Sequence, residues 1–195
     1  MPGFAAHSWS ACGYSVQKVY EWLLGSQQRV TWQPFVWNRL SLPKHNFLAW
    51  LFGKKRCLTQ DRLIKFGVIT DGIYYLCGAQ QETQAHLFFD CCYSQRCAHL
   101  LQHWLGVYWQ GDCVYWVIKW RCKSLCKKMI VMAAISGLLY CIWEARNKCK
   151  ANMVMKRPEA VIEHVQAAIR WRLQRSDFVQ QKDSTIAWIR DKRLS

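Results

Sequence analysis

Tyr74-Tyr-Leu-Cys77-Gly-Ala-Gln-Gln-Glu-Thr-Gln-Ala-His86-Leu-Phe-Phe-Asp-Cys91-Cys92 holds Cys77, His86 and Cys91 at the spacing of metal ligands. A C-x2-C-x8-H-x4-C knuckle would end on these three and place its first cysteine at position 74, where this chain has Tyr74. Structural zinc takes four Cys or His ligands in a closed tetrahedron, and small modules supply them from a tight turn and the start of a helix. Gly78 lets the backbone turn back behind Cys77, and Thr83 is placed to cap a short helix carrying His86, Phe88 and Phe89. Taken alone, the same residues also fit two buried thiols beside a hydrogen-bonded core histidine.

Upstream of the knuckle, three helices are expected. Ser15 caps a run in which Val16, Val19, Tyr20, Leu23 and Leu24 share a face, with Gly25 as its stop. Pro43 opens a second helix that buries Phe47, Leu48, Trp50 and Leu51 and runs into the basic Lys54-Lys55-Arg56. Thr59 caps a third, with Asp61 in its first turn, Leu63, Ile64 and Phe66 buried, and Gly67 as its end.

Downstream, Ser94 opens a helix whose Ala98, Leu101, Trp104 and Leu105 face the core before Gly106. His99 and His103 lie four apart on it and are read as a solvated face, since no motif attaches a third ligand. Residues 107–126 mix aromatic and polar positions and fit either a strand or an irregular linker. A long helix from about Lys127 to Lys150 is apolar first and basic last, at Arg146, Lys148 and Lys150. Pro158 suits the first turn of a final helix with Val161, Ile162, Val165, Ile169 and Leu173 as its apolar stripe. That helix also carries Arg170, Arg172 and Arg175, interleaved with Trp171 and followed by Trp188, a pattern able to stack on unpaired bases and meet phosphates.

Hydrophobic residues make up 52% of the 195, with 12 Trp, so the chain should fold around a core of its own. The net charge is +15, divided as +5 over residues 1–100 and +10 over residues 101–195, which makes the second half the expected polyanion contact. Eleven cysteines and no secretory pattern at the start point to reduced thiols in nucleus or cytoplasm, not to a secreted disulfide framework. The most apolar window, Met129 to Trp143, is shorter than the ~20 residues of a membrane span, so no membrane partner is expected. Cys122 and Cys126 sit among lysines, but no base stands near them to make a catalytic thiol.

The knuckle, with four further motifs in order, resembles the plant reverse transcriptase zinc-binding domain found at the C-terminal end of non-LTR, LINE-type retrotransposon polyproteins. Ser15 to Leu24 is similar to that family's opening helix. Val36-Trp-Asn-Arg-Leu-Ser-Leu-Pro-Lys-His-Asn-Phe-Leu-Ala-Trp50 is similar to its W-N-x-L-x-x-P-K-H-x-F-x-x-W core. Leu58-Thr-Gln-Asp-Arg-Leu63 looks like its L-x-T-x-D-R-L element, and Tyr140-Cys-Ile-Trp-Glu-Ala-Arg-Asn147 like the Y-x-I-W-x-x-R-N segment that often follows. The resemblance implies zinc held by Cys77, His86 and Cys91, with the first ligand position on Tyr74 and the site therefore incomplete. Cys92, where the family usually has proline, is the nearest spare thiol and a candidate fourth ligand.

The expected fold is mainly α: a small helical domain with an irregular zinc-knuckle-like insertion and a C-terminal basic helical extension. Its expected parts are an N-terminal segment (1–14), the zinc-binding-like domain (15–106), an aromatic linker (107–126) and the basic extension (127–195). The family implies a non-catalytic accessory module that grips RNA or DNA, with Lys54, Lys55, Arg56, Arg146, Lys148, Lys150, Arg170, Arg172 and Arg175 as phosphate contacts. No paired acidic motif for two-metal nucleotide addition, Gly-rich phosphate loop or Ser-His-Asp set is visible, so neither an enzyme nor a small-molecule site is expected. The alternative is a structural or protein-interaction helical domain left by a decayed element, Tyr for Cys being a single-base change.

Overall fold

The computed structural model describes residue 25 and residues 30–70, 75–78 and 80–175. Every described helix lies in the compact unit Thr31–Ser195. The opening helix expected over Ser15–Leu24, Tyr74 and Trp188 fall outside the described residues. Gly25, expected to stop that opening helix, has φ +62°.

The protein is mainly α-helical, and its centre is α6, Leu125–Asn152; the helices before it are α1 (Gln33–Val36), α2 (Pro43–Gly53), α3 (Gln60–Lys65), α4 (Cys92–Leu105) and α5 (Cys113–Lys119). The last described helix is α7, Pro158–Gln174, and a π-helical turn, His86–Asp90, precedes α4. Every residue of α6 from Ile130 to Leu139 is buried. A helix apolar on all sides needs neighbours on all sides, and α1, α2, α4, α5, α7 and the π-turn all pack on it. Its 28 residues are long and apolar enough to cross a membrane by length and composition, but most of its apolar stretch is covered by the rest of the protein. The sequence makes this helix the start of an extension; in the structure it is the core.

The ends follow local chemistry. The Ser124 hydroxyl accepts from the Lys127 N–H at 3.2 Å to start α6, and Met153, with φ +55°, ends it. The Asp112 carboxylate accepts from Val114 N at 2.8 Å and Tyr115 N at 3.0 Å. That cap makes α5 out of residues expected to be strand or irregular linker. α4 begins at Cys92, not at Ser94, because Cys91 is its N-cap; Ser94 is buried and its hydroxyl donates to Leu87 O at 2.6 Å. Gly106, with φ +60°, ends α4 as expected.

Two expected core residues are outside. Phe47 is 61% exposed, and α2 buries His45, Leu48, Ala49 and Phe52 instead. Phe66 is 59% exposed, its ring 5.3 Å from the Arg62 guanidinium. Asn38 explains the Trp-Asn element: its Nδ2 donates to Met129 O at 2.7 Å and its Oδ1 accepts from Leu40 N at 3.1 Å, which ties the α1–α2 loop to α6.

His45 is buried against α6, its ring 4.9 Å from that of Tyr140. Gly137 of α6 lies beside it: a Cβ placed there would lie 3.5 Å from the imidazole and 3.4 Å from Val165, ordinary contact distances. Burial, then Lys44 and His164, lower the His45 pKa from 6.5 to about 4, against an opposing pull from Glu144. The unfolded chain takes up that proton near pH 6.5 and the folded protein does not. The stability this neutral histidine carries is therefore complete above pH 6.5 and is lost as the pH falls toward 4. Urea midpoints should drop between pH 7 and 4.5 by the equivalent of about 3 kcal/mol. A His45→Gln variant should show a flatter slope, and an unchanged slope would rule this source out.

Candidate metal centre

The three predicted ligands come together. The Cys77 Sγ lies 3.2 Å from His86 Nε2, and the ligand atoms of Cys77, His86 and Cys91 all fall within 4.8 Å of one another. Each is positioned by backbone geometry. Cys77 stands in a turn before Gly78, whose φ is +64°. The Thr83 hydroxyl accepts from His86 N at 3.1 Å, as a cap would. The Cys91 N–H then donates to the His86 carbonyl at 3.0 Å, closing an i to i+5 turn. That π-type bond is why the spacing is H-x4-C: it returns the fifth residue beneath the first, where an α-turn would carry it past. The sequence shows the spacing, but not that a π-turn serves it.

The same turn drives Leu87 and Phe88 into the core. Phe52 on α2 meets Phe88 and Phe89 edge-on, with centroids 5.5 and 5.8 Å apart. The three rings pack together beside the turn that carries His86.

Cys91 is fully buried, and burial pushes its thiol up to about 12, opposed by the backbone N–H groups of Ser94 and Tyr93. Those donors belong to the first turn of α4, where a thiolate is favoured. A metal taking Cys91 displaces its proton and gains these donors. Tetrahedral zinc with bonds of about 2.3 Å to sulfur and 2.0 Å to nitrogen sets ligand atoms roughly 3.5–3.8 Å apart. The three atoms need only small shifts to reach that, so the donor set fits zinc. Cys92 does not join them: its side chain is exposed at the start of α4. Cys149 of α6, not singled out from the sequence, donates its S–H to Tyr75 O at 3.6 Å and so stands beside the arm that carries Cys77.

A second buried element anchors this arm. Arg146 Nε donates to Glu82 Oε2 at 2.9 Å, Arg146 Nη2 donates to Glu82 Oε1, and Gln60 N donates to Glu82 Oε1 at 3.1 Å. Arg146 Nη1 also donates to Asn147 Oδ1 at 2.8 Å, and its guanidinium lies 5.0 Å from the Trp143 ring. The pair is 4% and 0% exposed, so Arg146 is a tie between α6 and the knuckle and not the phosphate contact predicted from the sequence. Its place at a basic helix end suggested solvent, but the only carboxylate between Asp71 and Asp90 claims it.

A family model described as zinc-binding in reverse transcriptase matches residues 14–97. This stretch is a reverse transcriptase zinc-binding domain. No curated protein and no solved structure matches the chain. The zinc-binding domain's matched stretch ends inside α4, while its knuckle is braced by Arg146 from outside the match.

The other cations predicted to meet phosphate lie at the surface in separate groups. Lys54, Lys55 and Arg56 follow α2 and are exposed, with Lys54 Nζ 5.7 Å from the Trp32 ring centre. Lys148 and Lys150 are exposed near the end of α6, and Lys148 pairs with Glu144 at 3.3 Å. On α7, Arg170 and Arg172 are half-buried, and Arg172 donates to Arg39 O. Arg175 is exposed, its guanidinium 4.5 Å from the Trp171 ring centre. His99 and His103 are exposed on α4.

Proposed function

We propose that this protein is a non-catalytic, nucleic-acid-binding accessory module of a reverse transcriptase, with zinc held in its knuckle by Cys77, His86 and Cys91. The observation that carries the proposal is the convergence of those three donor atoms within a zinc-binding domain whose chain has a net charge of +15. Zinc, when bound, fixes the turn around Cys77 to the start of α4; the lysines and arginines supply the affinity for a polyanion. Lys54, Lys55, Arg56, Lys148, Lys150, Arg170, Arg172 and Arg175 remain the proposed contacts, and Arg146 does not.

Binding of a labelled oligouridylate, followed by fluorescence anisotropy between 50 and 300 mM salt, tests it. Three or more phosphate contacts should make log K fall against log salt with a slope of about −2 or steeper, at about −0.7 per contact on a single strand. No binding, or binding that salt leaves unchanged, would sink the proposal.

A second reading, a protein-interaction domain, is favoured by an apolar groove of about 380 Å³ between the α1–α2 loop and α6. Trp37 and Leu125 line it and are 69% and 62% exposed. An unchanged response to salt would favour that reading.

A further inference from the structure

A cleft of about 330 Å³ runs along one face of α6, lined among the described residues by Tyr140, Trp143, Glu144, Asn147, Lys148, Ala151 and Asn152. These positions recur at three- and four-residue intervals, so they form one continuous strip of the helix. We propose that this strip binds a single-stranded nucleic acid, stacking a base against Tyr140 and Trp143 while Lys44, Lys148 and Lys156 hold the flanking phosphates. The inference rests on the nucleic-acid reading above and assigns that reading a place on the molecule.

Three observations support it. Both rings are only partly buried and border open space, as a stacking platform must. The Asn147 side chain is oriented: its Oδ1 is taken by Arg146, which leaves its NH2 as the donor offered to a ligand. Most directly, two lysines from separate elements meet this face, and a third lies in the loop before α7. Lys44, at the start of α2, holds its Nζ 4.6 Å from the Tyr140 ring centre. Lys148 lines the cleft itself. Lys156 belongs to the loop before α7, which Tyr93 fixes by donating its hydroxyl to Lys156 O at 2.7 Å.

All three act on the same two neighbours. After burial, Lys156, Lys44 and Lys148 lower the pKa of His164 on α7, against Glu144. The same three oppose the burial that raises Cys141 on α6 to about 11. A compact positive spot beside an aromatic strip is the arrangement that unpaired nucleotides require. One carboxylate, Glu144, stands among the cations and pairs with Lys148. It is repulsive to a phosphate and gives the test its sign.

The experiment compares three forms of the full chain with wild type on a labelled 12-nucleotide oligouridylate and its deoxythymidylate counterpart. Glu144→Gln should tighten binding by about two- to fivefold, the scale of one surface ion pair, a gain that misfolding does not imitate. Lys44→Glu/Lys148→Glu/Lys156→Glu should weaken it at least tenfold and make the salt slope shallower by about 2. Arg170→Glu/Arg172→Glu/Arg175→Glu should weaken it less. Photo-crosslinking of a 4-thiouridine oligomer to wild type should label the peptide holding residues 140–150.

If the arginine variant loses binding while the lysine variant and Glu144→Gln leave it unchanged, the cleft is overturned and the function stands. Equal losses in both triple variants without crosslinks at 140–150 overturn it too. A polyglutamate peptide that competes as well as the oligonucleotide would show a general anion surface, against the proposal. Failure of wild type to bind either strand removes both the cleft and the proposed function.

Discussion

Arg146→Ala is expected to destabilise the protein by about 3–5 kcal/mol, because it strands the Glu82 carboxylate in the interior. Glu82 is wholly buried and accepts from the Gln60 N–H at the start of α3 as well as from Arg146. Its own replacement by Gln should cost less, since an amide oxygen keeps one acceptor for Gln60. Arg146→Met with Glu82→Leu together should cost far less than the sum of the single changes, as neither leaves a lone buried charge. Urea unfolding of the four proteins measures this. Additive costs would mean that the two groups act separately and that α6 does not brace the knuckle through them.

Metal removal should give the second large effect, on affinity more than on folding. Cys77→Ser should weaken zinc by at least about a thousandfold, since a thiolate is the preferred donor and only two strong ligands would remain. In wild type, zinc has to displace the Cys91 proton, which burial holds up to about 12. Zinc affinity should therefore rise by at least about tenfold per pH unit between pH 6 and 8, measured against a chromophoric chelator. A pH-independent affinity would take Cys91 out of the ligand set. Chelation should leave the helices folded, because the core around α6 is built from Ile130, Ile135, Leu138, Leu139 and Ile142, none of which is a ligand. The circular dichroism of the chelated protein should stay helical. Complete loss of helix would show that zinc holds the fold.

Much of this was legible in the sequence, for reasons that differ from element to element. The long helix was legible because its apolar run has no periodic polar break, and α7 because Pro158 and a clean apolar stripe mark it. The three ligands were legible because knuckle spacing is a property of a short local turn. α5 was not, since its signal is the single cap of Asp112 beneath an aromatic pattern that suits a strand equally well. Phe47 and Phe66 were assigned inward on hydrophobicity alone. In short helices the inward face is chosen by the neighbours, here Tyr140 for His45 and Phe88 for Phe52. Arg146 needed a partner 64 residues away. The hint was present in an acidic residue standing alone among the uncharged residues of the knuckle and a basic one within an apolar helix face, each of which needs the other once buried.

It is proposed here that three ligands suffice for zinc despite Tyr74. Native mass spectrometry of the purified chain beside a Tyr74→Cys variant tests it most directly. About one zinc per chain is predicted in both, held more tightly in the variant, whose fourth thiolate would close the tetrahedron. Zinc in the variant alone would make the wild-type site a broken knuckle, and zinc in neither would show that Cys77, His86 and Cys91 converge for packing and not for metal.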